Sequence, residues 1–326
     1  MSEVHRVGQA PRTRRICLLG ATGTIGRATL RALVGRGHEV VCFVRPRASF
    51  DDAVRFVDLS DPASIAHDGF RGERFDAVVS CMASRTGAPA DAWAIDHRAH
   101  LDVLRAAQEA GIAQFVLLSA ICVQKPVLAF QYAKLAFEQA LMESGVTYAI
   151  VRPTAFFKSL SGQIERVRQG KPFLVFGDGT LTACKPIADD DLAAYLADCV
   201  DDARRWNRVL PIGGPGAAIT PREQGEFLFL LLKRPARFRQ VPVALLDGLV
   251  GVFGMLGPLI PPLAAKVELA RIGRYYATES MLWLDPRTGR YDAAATPATG
   301  TQTLFDYYAS VIAGEAAPER GDHAVF

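Results

Sequence analysis

No two cysteines in this 326-residue chain have the C-x-x-C spacing that grips zinc or an iron–sulfur cluster. The six, at 17, 42, 81, 122, 184 and 199, stand singly and read as reduced, mostly buried thiols of a cytoplasmic protein. Blocks of Lys and Arg interleaved with aromatics are also missing, and the net charge is only +3, so no nucleic-acid partner is expected. The start carries His5, Arg6, Arg12, Arg14 and Arg15 but no apolar h-region before the first strand, so no secretory leader is expected. The most lipid-like stretch, Val243 to Ala265, is broken by Asp247, several glycines, Pro258, Pro261 and Pro262. It reads as a helix pair forming a pocket wall or lobe core; a peripheral membrane contact is the alternative, and no transmembrane span is expected.

What is present is half hydrophobic and 22% charged, a balance that supports a large core. Short apolar runs alternate with amphipathic stretches from Arg15 to Thr154, the pattern of repeated β-α units. Ile16 to Leu19, Val40 to Val44, Val54 to Val57, Ala77 to Ser80, Phe115 to Ser119 and Tyr148 to Val151 predict six parallel strands. Buried on both faces, they need not alternate apolar with polar residues. The expected fold is α/β, a doubly wound Rossmann sheet of order 3-2-1-4-5-6 with a smaller C-terminal substrate lobe. The expected divisions are a flexible segment 1–14, a dinucleotide-binding core 15–158, a lobe 159–314 with returns to the core, and a flexible tail 315–326. Helices are expected at Ser161 to Gln169, from Asp189, at Pro221 to Lys233 and at Gln302 to Ala313.

The segment Ile16 to Gly26 reads as a buried strand, a glycine-rich turn and a helix start. Gly20 permits the turn, Gly23 lets a pyrophosphate approach the backbone, and Gly26 lets the helix pack on the strand. The helix N-terminus offers N–H groups to phosphate. The G-x-x-G-x-x-G spacing resembles that of extended and atypical short-chain reductases. Where an NAD site places an acid after the second strand, Arg45 stands, and a guanidinium suits the 2′-phosphate of NADPH; a solvated arginine is the alternative. Asp58, after the third strand, is a candidate for the adenine or simply a loop-start aspartate.

Short-chain reductases of carbonyls place a Tyr four residues before a Lys. Phe130 occupies that position here, and Tyr132, two residues from Lys134, points to a different helix face. Lys134 remains the candidate catalytic residue, binding the nicotinamide ribose and assisting protonation, or else an exposed helix lysine. Hydride delivery without that phenol suits a double bond whose conjugation absorbs the developing charge. His97 and His100 read as one solvated helical face, and no metal site is expected.

The segments Cys81 to Gly87, Phe115 to Pro126, Ile150 to Leu160, Phe176 to Gly179, Ala183 to Ile187 and Ile272 to Met281 resemble a known family. It is that of the NADPH-dependent divinyl chlorophyllide 8-vinyl reductases, and the likeness runs from about Arg15 to Gly314. The resemblance implies NADPH-dependent reduction of the 8-vinyl group of divinyl (proto)chlorophyllide to ethyl in (bacterio)chlorophyll biosynthesis, with a tetrapyrrole substrate and no metal centre. It also implies that Phe130 is a family trait. Plant members carry a plastid leader that this N-terminus does not resemble, so a photosynthetic bacterium is the expected source. The candidate cofactor set is Gly20, Thr22, Gly23, Thr24, Ile25, Gly26, Arg45, Asp58, Leu59, Ser80, Ala83, Ser84, Ser119, Lys134, Pro153, Thr154 and Phe156. Phe156, Phe157 and Lys158 form the candidate substrate set, with both rings as core aromatics in the alternative. Lys158, Lys185 and Arg152 are cations that either meet a substrate carboxylate or cap structure. Two other functions stay open: an isoflavone-reductase-like reductase of another conjugated bond, and a non-catalytic NADP(H)-binding redox sensor. The sequence carries no signal for an oligomeric state.

Overall fold

The computed structural model of the chain describes residues 12–46, 53–256 and 261–316. The termini expected to be flexible therefore lie outside the described residues except for 12–14 and 315–316.

The strands are β1 (Arg15–Leu19), β2 (Glu39–Val44), β3 (Val54–Phe56), β4 (Ala77–Ser80), β5 (Gln114–Leu118), β6 (Thr147–Pro153), β7 (Phe173–Phe176), β8 (Arg208–Ile212), β9 (Phe238–Val241), β10 (Trp283–Asp285) and β11 (Arg290–Asp292). Seven form one parallel sheet in the order β3-β2-β1-β4-β5-β6-β8. Its first six positions match the expected order, and β8 is added at the β6 edge. Alternation along β1 shows why the runs are apolar throughout. Ile16 and Leu18 pack with the helices Thr24–Gly35 and Asp189–Asp201, through Leu33, Leu192 and Leu196 among others. Cys17 and Leu19 pack on the opposite face with the helices His100–Glu109 and Ala129–Glu143, through Val103, Leu104, Phe137 and Leu141. A strand covered on both faces has no polar side to display.

The chain leaves this sheet after β6 and builds a second core from Phe157, Ile164, Val167, Phe173, Val175, Leu228, Phe229, Leu304 and Tyr308. There β7 and β9 pair in parallel, and the Tyr308 hydroxyl donates to the Leu160 carbonyl at 2.6 Å. The helix Asp189–Asp201 and β8 return to the first core between these elements. The expected helix at Ser161 to Gln169 is shortened to Ile164–Arg168, and a separate short helix, Phe157–Leu160, precedes it. The Val243–Leu256 helix packs with Pro261–Thr278, and Asp247 in it is ion-paired to Arg274. The side chains of 249 and 252–266 lie outside the described residues.

The expected solvated face of His97 and His100 is corrected by the structure. A π-helical turn, Trp93–Ala99, precedes the His100–Glu109 helix, and His100 is buried at 1% exposure. Its Nδ1 lies 2.8 Å from the Ile95 carbonyl, which only accepts, so Nδ1 carries the proton and Nε2 accepts from Ser80 Oγ at 2.8 Å. Burial lowers this histidine from 6.5 to about 4. Above pH 6.5 both folded and unfolded chains hold it neutral; as pH falls toward 4 only the unfolded chain takes up a proton. Stability therefore falls across that window, by up to about 3 kcal/mol from this residue. Urea midpoints measured at steps of pH should show the decline, and His100→Gln should flatten it. An equal decline in both chains would assign it to other groups.

Candidate functional site

The turn between β1 and its helix is set by contacts that leave no room for side chains. Gly20 has φ +74°, and a Cβ there would stand 2.6 Å from the Cys81 carbonyl carbon; one on Gly26 would stand 2.0 Å from the Gly20 oxygen. Gly23 is different: a Cβ would meet only the Gly20 oxygen, at 3.4 Å, so packing within the protein does not dictate its identity. Gly23 caps the helix with no side-chain hydrogen bond, which leaves the first-turn N–H groups available to an anion. Thr22 is exposed, Thr24 half-buried, and the Ile25 side chain belongs to the core, so Ile25 offers only its backbone. Lys158 Nζ reaches this turn and donates to Thr24 Oγ1 at 2.8 Å. A dinucleotide pyrophosphate fits this cradle of helix N-terminus, glycine and lysine.

Along the same sheet edge, Arg45 is exposed at the end of β2. Asp58 accepts from Ser60 Oγ at 2.6 Å and Ser60 N at 2.9 Å, bonds that lower its carboxyl below the ordinary range. They make it a loop-start aspartate closing its own turn. Leu59 is buried. Ser80 is fully buried and its hydroxyl is engaged by His100, so it offers no side-chain group to a ligand.

A cavity of about 420 Å³ begins where the turn ends, since the Cys81 backbone that packs on Gly20 also lines it. Ala83, Ser84, Ser119, Lys134, Pro153, Thr154 and Phe156, all sequence candidates, line it together. Lys134 is no surface lysine: its side chain is 12% exposed and its Nζ pairs with Asp96 Oδ1 at 2.9 Å. Asp96, fully buried in its side chain, also accepts from Ser84 Oγ at 2.6 Å and Ser84 N at 3.2 Å. Burial alone would raise its carboxyl, but Lys134 and Ser84 bring it below the ordinary range. A second buried carboxylate, Glu138, accepts from Ser119 Oγ at 2.5 Å and is ion-paired to Arg152.

The candidate substrate set is not brought together. Phe156 lines the cavity; Phe157 is 4% exposed and packs in the second core against Tyr307, with ring centroids 5.5 Å apart; Lys158 lies at the glycine-rich turn. Of the other cations, Lys185 donates to the Thr296 carbonyl at 3.1 Å and Arg152 to Glu138. Sequence reasoning did not single out Asp96 or Glu138, nor the far wall formed by Leu181, Cys184, Ile272, Tyr276 and Met281. The segments quoted above that hold Cys184 and Ile272 to Met281 carried the available signal. The described side chains of Val243–Leu256 are absent from the lining, and Leu245 is 56% exposed, so that part of the helix does not form the pocket wall.

The fold and this edge define a Rossmann-type NAD(P)H-binding protein. Residues 20–203 match the model of an NAD(P)H-binding family. An NADPH-dependent quinone oxidoreductase from Escherichia coli, solved with NADPH, shares the fold at TM-score 0.66 and 18% identity, over 92% of this chain and 99% of that one. The chain is 47% identical to the chloroplastic divinyl chlorophyllide a 8-vinyl-reductase of Oryza sativa subsp. indica, over 97% of this chain and 83% of that protein. It is 45% identical to the one from Arabidopsis thaliana, over 96% and 81%. The chain belongs to the divinyl chlorophyllide a 8-vinyl-reductase family.

Lys134→Ala should lower turnover at least about tenfold and, by stranding the Asp96 charge, cost about 3 kcal/mol of stability. Adding Asp96→Asn should recover much of the stability and none of the turnover. Recovered turnover in the double variant would reduce Lys134 to a counter-ion.

Proposed function

We propose that this chain reduces the 8-vinyl group of divinyl chlorophyllide, or of its protochlorophyllide counterpart, to ethyl with NADPH in (bacterio)chlorophyll biosynthesis. The observation that carries the reading is the 47% identity over nearly the whole chain to a protein named for that reaction. The site supports it: a mostly apolar cavity adjoins the phosphate turn, and the phenylalanine that replaces the carbonyl-reductase tyrosine, Phe130, lines it. A flat conjugated substrate needs burial and alignment more than polar contacts.

Bound NADPH supplies a hydride. Gly20 to Gly26 hold its pyrophosphate, and Lys158, beside Thr24, adds a cation to that contact in place of the substrate role expected of it. Arg45 takes the 2′-phosphate and Lys134 the nicotinamide ribose. Ser84 and Ser119 donate to carboxylates, so each presents lone pairs to the ligand and accepts from its hydroxyl or amide groups. Phe156 packs against the nicotinamide. The macrocycle delocalises the charge left after hydride addition, and the protein keeps two flat π-systems in register.

We place the chain in the bacterial cytoplasm beside photosynthetic membranes. The chloroplastic relatives and the exposed Leu245 on an apolar helix support the membrane proximity alone, with Val243–Leu256 as a shallow membrane contact. Among the described residues no helix is long and apolar enough to cross a membrane.

Adding the chain and NADPH to divinyl chlorophyllide should shift its absorbance to that of the monovinyl product; an unchanged spectrum with NADPH bound rejects the reading. The two cofactor cations should separate in titrations. Arg45→Asp should weaken NADPH far more than NADH, whereas Lys158→Met should weaken both alike. Equal losses from Arg45→Asp would remove it from the 2′-phosphate.

A further inference from the structure

Reduction of a carbon–carbon double bond needs a proton as well as a hydride. Many protic side chains on the cavity wall are already engaged, and the Ser159 and Thr182 hydroxyls that also line it are aliphatic alcohols, far weaker acids than a phenol. Ser84 and Ser119 give their hydroxyl protons to Asp96 and Glu138, and Thr154 gives its proton to the Lys185 carbonyl. Lys134 is held by Asp96, and Glu279 is held by Lys125 and by Tyr291, each at 2.7 Å. Burial pushes the Cys184 thiol up to about 12, and raises Cys122 as well.

Tyr276 is in a different position. It lines the cavity and is 38% exposed. Among the described residues its hydroxyl has one partner, Cys122 Sγ at 3.9 Å, a long contact to a weak acceptor. Ile272, one helical turn earlier, lines the cavity too. A Cβ on Gly87 would stand 2.7 Å from Ile272 and 4.0 Å from Phe130, so the helix carrying Tyr276 meets the Phe130 ring there. Cys122, which the phenol touches, is three residues beyond Ser119 at the cofactor edge.

We propose that Tyr276 is the proton donor: the phenol missing at Phe130 is supplied by the neighbouring Pro261–Thr278 helix. The assignment rests on the vinyl-reductase reading. The step balances when the hydride ends on the terminal vinyl carbon and the former π pair forms a C–H bond at the inner carbon with the Tyr276 proton. The existing vinyl group becomes ethyl by gaining two hydrogens, the dinucleotide is left as NADP⁺, and the phenolate regains its proton from water.

Tyr276→Phe keeps the ring and removes one weak contact, so the folded chain should persist. NADPH affinity, read by quenching of protein fluorescence, should equal that of the parent. Binding of divinyl chlorophyllide to the NADP⁺-loaded protein, read from its absorbance, should also be retained. Single-turnover reduction should slow by about a hundredfold or more. A variant that reduces divinyl chlorophyllide as fast as the parent overturns the proposal. So does one whose loss of rate is matched by loss of substrate binding, which would make Tyr276 a binding residue. A parent chain that binds NADPH yet leaves divinyl chlorophyllide unchanged defeats the vinyl-reductase reading itself, and this assignment with it.

Discussion

A carboxylate taken out of water has to be matched in charge and in hydrogen bonds, and meeting that need at Asp96 joins three separate parts of the chain. Lys134 comes from the Ala129–Glu143 helix, Ser84 from the loop after β4, and Asp96 itself from the π-helical turn before His100. Satisfying that one charge therefore fixes the relative position of a helix, a loop and a turn, and it aims the lysine into the cavity. Glu138 repeats the device on the next strand with Ser119 and Arg152. Together the two buried carboxylates set the polarity of the cofactor edge before any ligand arrives: serine oxygens accept, and the lysine donates.

The sheet and the glycine-rich turn were legible because both obey local rules. A strand buried on both faces must be apolar throughout, and a turn that admits no Cβ at Gly20 or Gly26 must carry glycine. Less was legible where a side chain's direction depends on distant packing. Phe156 and Phe157 are neighbours, yet one lines the cavity and the other is buried against Tyr307. No periodicity of two adjacent aromatics tells which ring takes which side. Ser80 ends β4 and Ser119 follows β5, each hydroxyl engaged by a buried partner, His100 or Glu138, yet only Ser119 reaches the cavity. The edge strand β8 was hidden for a related reason. Its strand partner, β6, is separated from it in sequence by part of the second core, and its burial is only partial from Val209 to Pro211.

Replacement of the usual phenol by Phe130 changes what the cavity selects. A hydroxyl there would demand a partner from every ligand and would penalise a hydrocarbon group placed beside it. With a phenyl ring next to Ile272, the same spot accepts an alkenyl group without stranding a polar atom.

Cys184 joins the wall by isolated bridges to Ile219 and to Met281, strung across nearly a hundred residues of chain. The cofactor half of the molecule is complete when β8 ends at Ile212, whereas the wall closes only when Met281 has been made. During synthesis, then, a nascent chain holds a finished dinucleotide platform well before it holds an enclosed pocket. Cofactor bound at that stage would stabilise the platform by mass action while the rest is still being translated. A photosensitising pigment, by contrast, finds no enclosed seat until the last third of the protein has left the ribosome.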